Sequence, residues 1–243
     1  MPPPKFPSTP KSGCPSCVTL GLGLCGLLIE LDLDRADSTN PIISQAQFNF
    51  AARRTIFRQN DTLDHVPIIC DGWAAATMKL SNGRRQILSF LLPGEIITSR
   101  LVFEPKLHVS IDAITEGSYR TFNRSHLRSV MSNSPVTFDR ILAAYNAESG
   151  RGDQLIATLG QRTAYERVAC LLVDLWERLE KSSRIDANRV NFPLRQTHIA
   201  DATGLTPVYV GKVLSDFRKD SLVDISDRIL QIDDMTRLRR LVT

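Results

Sequence analysis

A run of turn signals at constant spacing dictates the architecture of the first half of this chain. Asp71-Gly72, Asn82-Gly83 and Pro93-Gly94 put a glycine every eleven residues, and strand-forming runs such as Ile87-Leu-Ser-Phe-Leu-Leu92 fill the intervals. Eleven residues hold one strand and one tight turn. The segment from about Phe48 to Phe122 is therefore predicted to form antiparallel hairpins that close into two packed sheets or a barrel. After Pro135 the period changes. Phe138, Ile141, Leu142, Tyr145, Leu155, Ile156 and Leu159 recur at spacings of three and four, the stripe of an amphipathic helix. Positions 138, 145, 152 and 159 also keep a seven-residue repeat, so these seven side chains are expected to form a dimer seam. The alternative is a helix packed on its own domain, and Ser149-Gly-Arg-Gly152 interrupts the stripe.

The last third is helical. Val168, Leu171, Leu172, Leu175 and Leu179 share one face of a helix that begins near Ala164. Two short helices follow, Thr197 to Ala202 and Pro207 to Arg218, joined by the turn Thr203-Gly-Leu-Thr206. Thr206 suits the cap of the second helix, and Pro207 suits its first position, where a missing N–H is harmless. Ile225 to Ile232 alternates around Asp227-Arg228, as a hairpin wing would. A helix offered by a turn to the DNA major groove must bury one face and present short or polar residues on the other. Ile199, Leu205, Val210, Val213, Leu214 and Phe217 supply the inner face, and Pro207, Val208, Gly211, Lys212 and Ser215 the outer one. Lys212 can donate to a guanine edge or to a phosphate, and Tyr209 can reach the backbone or a thymine methyl. Arg195, Gln196, Thr197, Arg218 and Lys219 flank the motif as backbone contacts, with Thr206 at the helix N-terminus offering a phosphate site. Residues 195–219 carry four cations and two acids, a local excess of two. Any bundle with two short helices shares the periodicity, so the pattern alone leaves DNA binding and a structural helix pair both open.

Composition narrows the classes. With 243 residues, 42% hydrophobic and 23% charged, the chain is long enough for one large domain or two small ones. The net charge of +4 neither demands nor forbids a polyanionic partner. The longest apolar run, Val18 to Ile29, holds three glycines and is too short for a bilayer. Glu30, Asp32 and Asp34 follow it where a signal peptide would need a small-residue cleavage site, so a cytoplasmic protein without a membrane partner is expected.

Three motifs are specific enough to suggest kinship. Asn82-Gly-Arg-Arg-Gln-Ile-Leu-Ser-Phe-Leu-Leu-Pro-Gly-Glu95, Thr163-Ala-Tyr-Glu-Arg-Val-Ala169 and Ile199-Ala-Asp-Ala-Thr-Gly-Leu-Thr-Pro-Val-Tyr-Val-Gly-Lys-Val-Leu214 resemble stretches of the Crp/Fnr superfamily of bacterial transcription regulators, in its Fnr/FixK-like branch. The resemblance spans about Cys14 to Thr236. It implies an α+β chain: a Pro-rich disordered leader with a Cys cluster over 1–29, a double-stranded β-roll sensor over 30–135, a dimerisation helix over 136–160, and a winged helix-turn-helix domain over 161–243 with its motif at about 196–215. It implies a homodimer that binds a palindromic double-stranded DNA site and contacts RNA polymerase, with half-sites one helical turn apart. By the match, Val208 and Gly211 stand where other members carry polar base readers, and Lys212 replaces an arginine.

The signal is less legible. Cyclic-nucleotide-binding members carry an Arg-Ser or Arg-Thr pair that grips the phosphate, and Leu107-His108 stands about there, with Arg100 and Lys106 out of register, so no cyclic nucleotide is expected. Cys14-Pro-Ser-Cys17 with Cys25 gives C-x2-C-x7-C, a set suited to a soft metal or an iron–sulfur cluster. Oxygen-sensing members complete such a trio with a roll cysteine at a position matched by Arg120, which leaves Cys70 as a fourth ligand from a different place. Three readings stand together: an iron–sulfur oxygen or redox sensor, a thiol switch or another metal such as zinc, and a regulator without a cofactor in which Cys70 and Cys170 are small buried hydrophobes. An enzyme is not expected. The CxxC follows a Pro-rich leader rather than a βαβ strand, and no HExxH, GxSxG or phosphate loop occurs among residues that include His65, His108, His126 and His198.

Overall fold

The structure, a computed structural model, describes residues 47–181, 186 and 188–242. The expected leader, with Cys14, Cys17 and Cys25, and the first residues of the expected sensor segment lie outside the described residues. Seven strands form the first unit: β1 (Phe48–Phe50), β2 (Thr55–Phe57), β3 (His65–Asp71), β4 (Ala74–Lys79), β5 (Arg85–Leu91), β6 (Ser110–Ala113) and β7 (Gly117–Asn123). They pair as a three-stranded sheet, β1-β7-β3, and a four-stranded sheet, β2-β6-β4-β5, with every ladder antiparallel. Gly72, Gly83 and Gly94 all take positive φ, at 78°, 80° and 95°, so the evenly spaced glycines do mark tight turns. Gly72 is also sterically required: a Cβ there would stand 2.3 Å from the Glu116 carbonyl.

Val66, Ile68 and Ile69 of one sheet and Ala74, Leu91 and Ile111 of the other meet in the roll core. A 3₁₀ turn, Ser99–Val102, closes it with Leu101 and Val102. Helix α1 (Arg124–Asn133) then covers one end through Leu127 and Met131. Ser134 caps the long helix α2 (Pro135–Gln161), its hydroxyl accepting the Thr137 N–H at 3.3 Å. This helix runs through Gly150 and Gly152 without a break, because neither glycine faces a neighbour that would need more than a hydrogen.

Ile141 corrects the expected dimer seam. It is fully buried in the roll core, so no partner chain can reach it. Nor do Leu155 and Leu159 extend the exposed stripe. Leu155 lines an internal cleft, and Leu159 lies beside Gly204. Phe138, Leu142, Tyr145 and Ile156 do remain exposed. The helix thus carries two apolar faces, which a three-and-four spacing cannot separate. Between them Glu148 ties α2 to the 3₁₀ turn: its carboxylate accepts the Thr98 hydroxyl at 2.7 Å, the Ser99 N–H at 2.8 Å and the Ser99 hydroxyl.

The second unit comprises α3 (Ala164–Lys181), β8 (Arg189–Asn191), α4 (Gln196–Thr203), α5 (Pro207–Lys219), β9 (Val223–Ser226), β10 (Ile229–Ile232) and α6 (Met235–Arg240). Strands β8, β10 and β9 form a small antiparallel sheet in that order. Its core does not stop at the domain edge. Trp73, Ile87, Phe90 and Leu92 of the roll pack in one cluster with Val168, Leu172, Trp176 and Phe192, and the Trp73 and Phe192 rings meet edge to face at 6.1 Å. Strand β5 therefore serves two cores, with Ile87 and Phe90 facing the second unit and Leu91 the first. Among the described residues no helix is long and apolar enough to cross a membrane.

A nearly buried guanidinium locks the two units together. Arg178, its side chain only 10% exposed, donates to Glu95 at 2.6 and 3.0 Å, to Asp174 at 2.9 Å and to the Phe90 carbonyl. Burial by itself would push Arg178 down, but the Glu95 and Asp174 carboxylates outweigh it and hold the group charged. Glu95→Gln leaves that charge without its main counterion, and the expected loss of unfolding free energy is roughly 3 kcal/mol. Glu177→Gln, which removes the exposed pair with Arg239, is expected to cost under about 1 kcal/mol. Urea denaturation of the two variants compares them, and equal losses would mean that Arg178 is not the lock.

Candidate nucleic-acid interface

Helices α4 and α5 meet through a turn built from local chemistry. Gly204 ends α4 in the left-handed region, at φ 67°, and its N–H returns to the Ala200 carbonyl. Thr206 then caps α5, its hydroxyl accepting the Tyr209 N–H at 3.2 Å, and Pro207 opens the helix. These are the roles expected for Thr206 and Pro207. The start of α4 is capped less conventionally. The Arg195 N–H donates to Nδ1 of His198 at 3.1 Å, so an imidazole takes the place of the Glu or Gln oxygen that accepts the N-cap N–H in a capping box.

Burial sorts α5 into two faces. Val210, Val213 and Phe217 are buried with Ile199, while Leu205 and Leu214 are half-buried against them. On the other side Val208 is 85% exposed and Tyr209 41%, and Pro207, Lys212 and Ser215 are exposed. Gly211 is half-buried instead of open. A Cβ there would lie 3.2 to 3.4 Å from the Gln196 amide, so the missing side chain lets Gln196 lie across α5. Gln196 was expected only as a flanking phosphate contact, and no spacing rule could have revealed this packing.

The cations divide likewise. Arg218 donates to the Asp224 carboxylate and to the Ile225 carbonyl at 3.1 Å, which fastens the wing β9–β10 to α5. Lys219 pairs with Asp216 at 3.3 Å. The Tyr165 hydroxyl donates to Asp216 as well, and that bond first, then Lys219, holds the Asp216 carboxyl below its ordinary range. Lys212 makes no ion pair among the described residues, and its ammonium sits 5.9 Å from the centre of the Tyr209 ring. Arg195 and Thr197 are exposed at the start of α4. Asp227 and Arg228 at the wing tip both take positive φ, at 50° and 61°, the geometry of a two-residue hairpin turn.

Two contacts join this motif to the roll. Arg85 on β5 donates to Asp201 on α4 at 2.6 and 2.9 Å, and the Gln86 amide donates to the Ala202 carbonyl at 3.1 Å. Asp201, counted above against the local charge, is neutralised by Arg85 of the roll.

The roll itself differs from a phosphate pocket. Leu107 is fully buried and His108 is bonded to Glu104 at 2.9 Å, so neither offers a cation and hydroxyl pair, and Arg100 and Lys106 are exposed. The Glu148 carboxylate already occupies the polar groups of the 3₁₀ turn and would repel a phosphate. Cys70 is the extra residue of a bulge between Ile69 and Asp71 in the β3–β7 ladder, half-buried, its thiol 3.9 Å from the Ile68 carbonyl. Arg120 pairs with Ile68 on the neighbouring strand. Among the described residues no three His, Cys, Asp or Glu side chains gather as metal ligands.

Burial first, then the Arg85 and Arg195 charges, lowers His198 below its ordinary 6.5. The unfolded chain then binds this proton more tightly than the folded one, so stability rises with pH across the window below 6.5 and is lost as pH falls through the folded value. Protonation also fills the nitrogen that caps α4. Wild type is expected to lose more melting temperature than His198→Gln between pH 7.5 and about pH 5.5. His65, lowered chiefly by burial, contributes equally to both proteins, so parallel losses would take His198 out of the account.

Comparisons with known proteins agree with this arrangement. The family model described as a Crp-like helix-turn-helix domain matches residues 166–241, and the cyclic nucleotide-binding domain matches residues 47–134. The nitrogen fixation regulation protein FixK of Rhizobium meliloti is 31% identical over 191 residues, which cover 77% of this chain and 83% of FixK. The transcriptional activator protein FnrL of Cereibacter sphaeroides is 25% identical, over 78% of this chain and 77% of FnrL. The solved structure of FixK2 from Bradyrhizobium japonicum superposes with a TM-score of 0.73 at 26% identity, covering 82% of this chain and 97% of that one.

Proposed function

Since the chain belongs to the Crp/Fnr family of transcription regulators, we propose that it binds a palindromic double-stranded DNA site as a homodimer, with α5 of each protomer entering the major groove. The relatives that it matches are regulators, not enzymes. The observation that carries the reading is the division of α5 into a sealed inner face and an outer face whose N-terminal half exposes Val208, Tyr209 and Lys212. A groove-entering helix meets base edges with that half. Lys212 reads a base or a phosphate, while Arg195, Gln196, Thr197, Thr206, Pro207, Gly211 and Ser215 line the approach. Arg218 and Lys219 act mainly by shaping the wing and the helix end. Exposed Phe138, Leu142, Tyr145 and Ile156 on α2, extended by Phe103 of the roll, which meets Tyr145 edge to face at 6.1 Å, support the dimer. The reading includes a cytoplasmic location and RNA polymerase as a further partner.

Lys212→Ala is expected to weaken binding to the specific site by about 1 to 3 kcal/mol, with a smaller loss on random DNA. Gel-shift titrations on both duplexes measure the difference. Equal losses would reduce Lys212 to a phosphate contact, and failure of the wild-type chain to prefer any palindrome would overturn the reading.

For the signal, the proposal is a redox response through Cys14, Cys17 and Cys25, whose C-x2-C-x7-C spacing supports it. Arg120 stands at the resembled position of the family's fourth cysteine, and Cys70, half-buried in a bulge of β3, is the fourth-ligand candidate among the described residues. Operator affinity is expected to differ between reduced and oxidised protein and to lose that difference when the three cysteines become serine. Iron and acid-labile sulfide assays on protein purified without oxygen distinguish a cluster from a thiol switch. A wild-type affinity that ignores oxidation would leave a regulator without a redox cofactor.

A further inference from the structure

A cavity of about 420 Å³ lies where all the moving parts meet. Its walls come from β5, the C-terminal half of α2, helix α3, the end of α4 and the last residues of the chain. The floor is apolar, with Phe90, Leu155, Leu171 and Val173, and the volume falls within the range of small-molecule sites. The charge of the walls is unbalanced. Asp174 and Glu177 are already paired, with Arg178 at 2.9 Å and Arg239 at 3.1 Å. Arg151, Arg162 and Arg167 have no carboxylate partner among the described residues. Arg162 spends one donor on the Val242 carbonyl at 2.7 Å, and Arg167 donates to the carbonyls of Arg162 at 2.9 Å and Thr203 at 3.4 Å. The Nε of Arg151 is buried with no hydrogen-bond partner among the described residues.

A guanidinium has five donors, and a buried one left unmatched is costly. One guanidinium with a buried unmatched nitrogen, and two more without a carboxylate partner, around an apolar floor call for an anion with an apolar body. Cys170 in the same wall adds no negative charge, since burial raises its thiol above the ordinary value. We propose that this cavity binds a small organic carboxylate, its acid group at Arg151, whose Nε is unmatched, with Arg162 and Arg167 adding positive charge to the same walls, and its hydrocarbon part against Phe90, Leu155 and Leu171.

The cavity stays open in a dimer. At about 100° per residue, Arg151 and Thr158 lie on the side of α2 roughly opposite Phe138, Tyr145 and Ile156. A partner seated on the exposed stripe leaves this face to the ligand. Because Arg167 holds the Thr203 carbonyl at the end of α4, an occupied cavity acts directly on the placement of the helix-turn-helix.

The test titrates the full chain with 4-phenylbutyrate, with 4-phenylbutanol and acetate as probes of body without charge and charge without body. Calorimetry without DNA is expected to give one saturable phenylbutyrate site per chain, and neither control should compete. Arg151→Gln should weaken phenylbutyrate about tenfold, the loss of one charge-assisted hydrogen bond, Arg162→Gln should weaken it less, by the loss of wall charge alone, and Arg151→Lys should retain most of the affinity. Circular dichroism and operator binding by each variant without ligand report separately on folding and on the DNA-binding function. Absence of saturable binding, equal competition by phenylbutanol, or affinity unchanged in both Gln variants would overturn the proposal while leaving the DNA-binding reading intact.

Discussion

The Arg178 guanidinium, buried among Glu95, Asp174 and the Phe90 carbonyl, is the contact on which the arrangement of this protein depends. Two units with separate folds would ordinarily rotate about their linker. Here the turn that ends β5 and the last turn of α3 are bound through a charge that water cannot easily replace. Around it the apolar cluster from Trp73 and Phe90 to Trp176 and Phe192 makes one continuous interior of two domains. The roll and the helix-turn-helix thereby share one packed interior.

That coupling gives β5 an unusual share of the work. Its Ile87 and Phe90 fill the second core, Leu91 fills the first, and Arg85 and Gln86 reach α4 through Asp201 and Ala202. Glu148 makes a similar link on the other side, from the long helix to the 3₁₀ turn of the roll. A carboxylate belonging to the chain stands on the turn's polar groups. The roll thus matches the cyclic nucleotide-binding domain model while Glu148 of the same chain satisfies the polar groups of its 3₁₀ turn. The uncompensated charge lies instead in the cavity beneath α2, beside the joint.

Much of this was legible in the residues. The equal glycine spacing marked three tight turns, because a positive φ is nearly free for glycine alone. Yet only the Gly83 turn closes a hairpin, β4–β5, while Gly72 leads from one sheet into the other and Gly94 ends β5. The turn Thr203-Gly-Leu-Thr206 with Pro207 specified both helix ends, since capping is a local interaction within a few residues. The long helix was legible in extent and misleading in direction. Ile141, Leu155 and Leu159 joined Phe138 and Tyr145 in one stripe, yet the first three turn toward their own chain. Periodicity reports that side chains share a helix face and is silent on what covers that face. The link from Arg218 to the wing was likewise hidden, because its partner Asp224 becomes a neighbour only when the wing folds back.

The sequence by itself determined the order of elements, the turns, the caps and the family, all of which rest on interactions between residues close in the chain or on whole motifs. Tertiary structure decided the rest. It chose which arginines are neutralised, which apolar side chains stay exposed, and which carboxylate meets the 3₁₀ turn. Arg178 and Glu95 are 83 residues apart and Arg85 and Asp201 are 116 apart. Pairings at such separations depend on how sheets and helices pack, and no local pattern of charge or hydrophobicity records that.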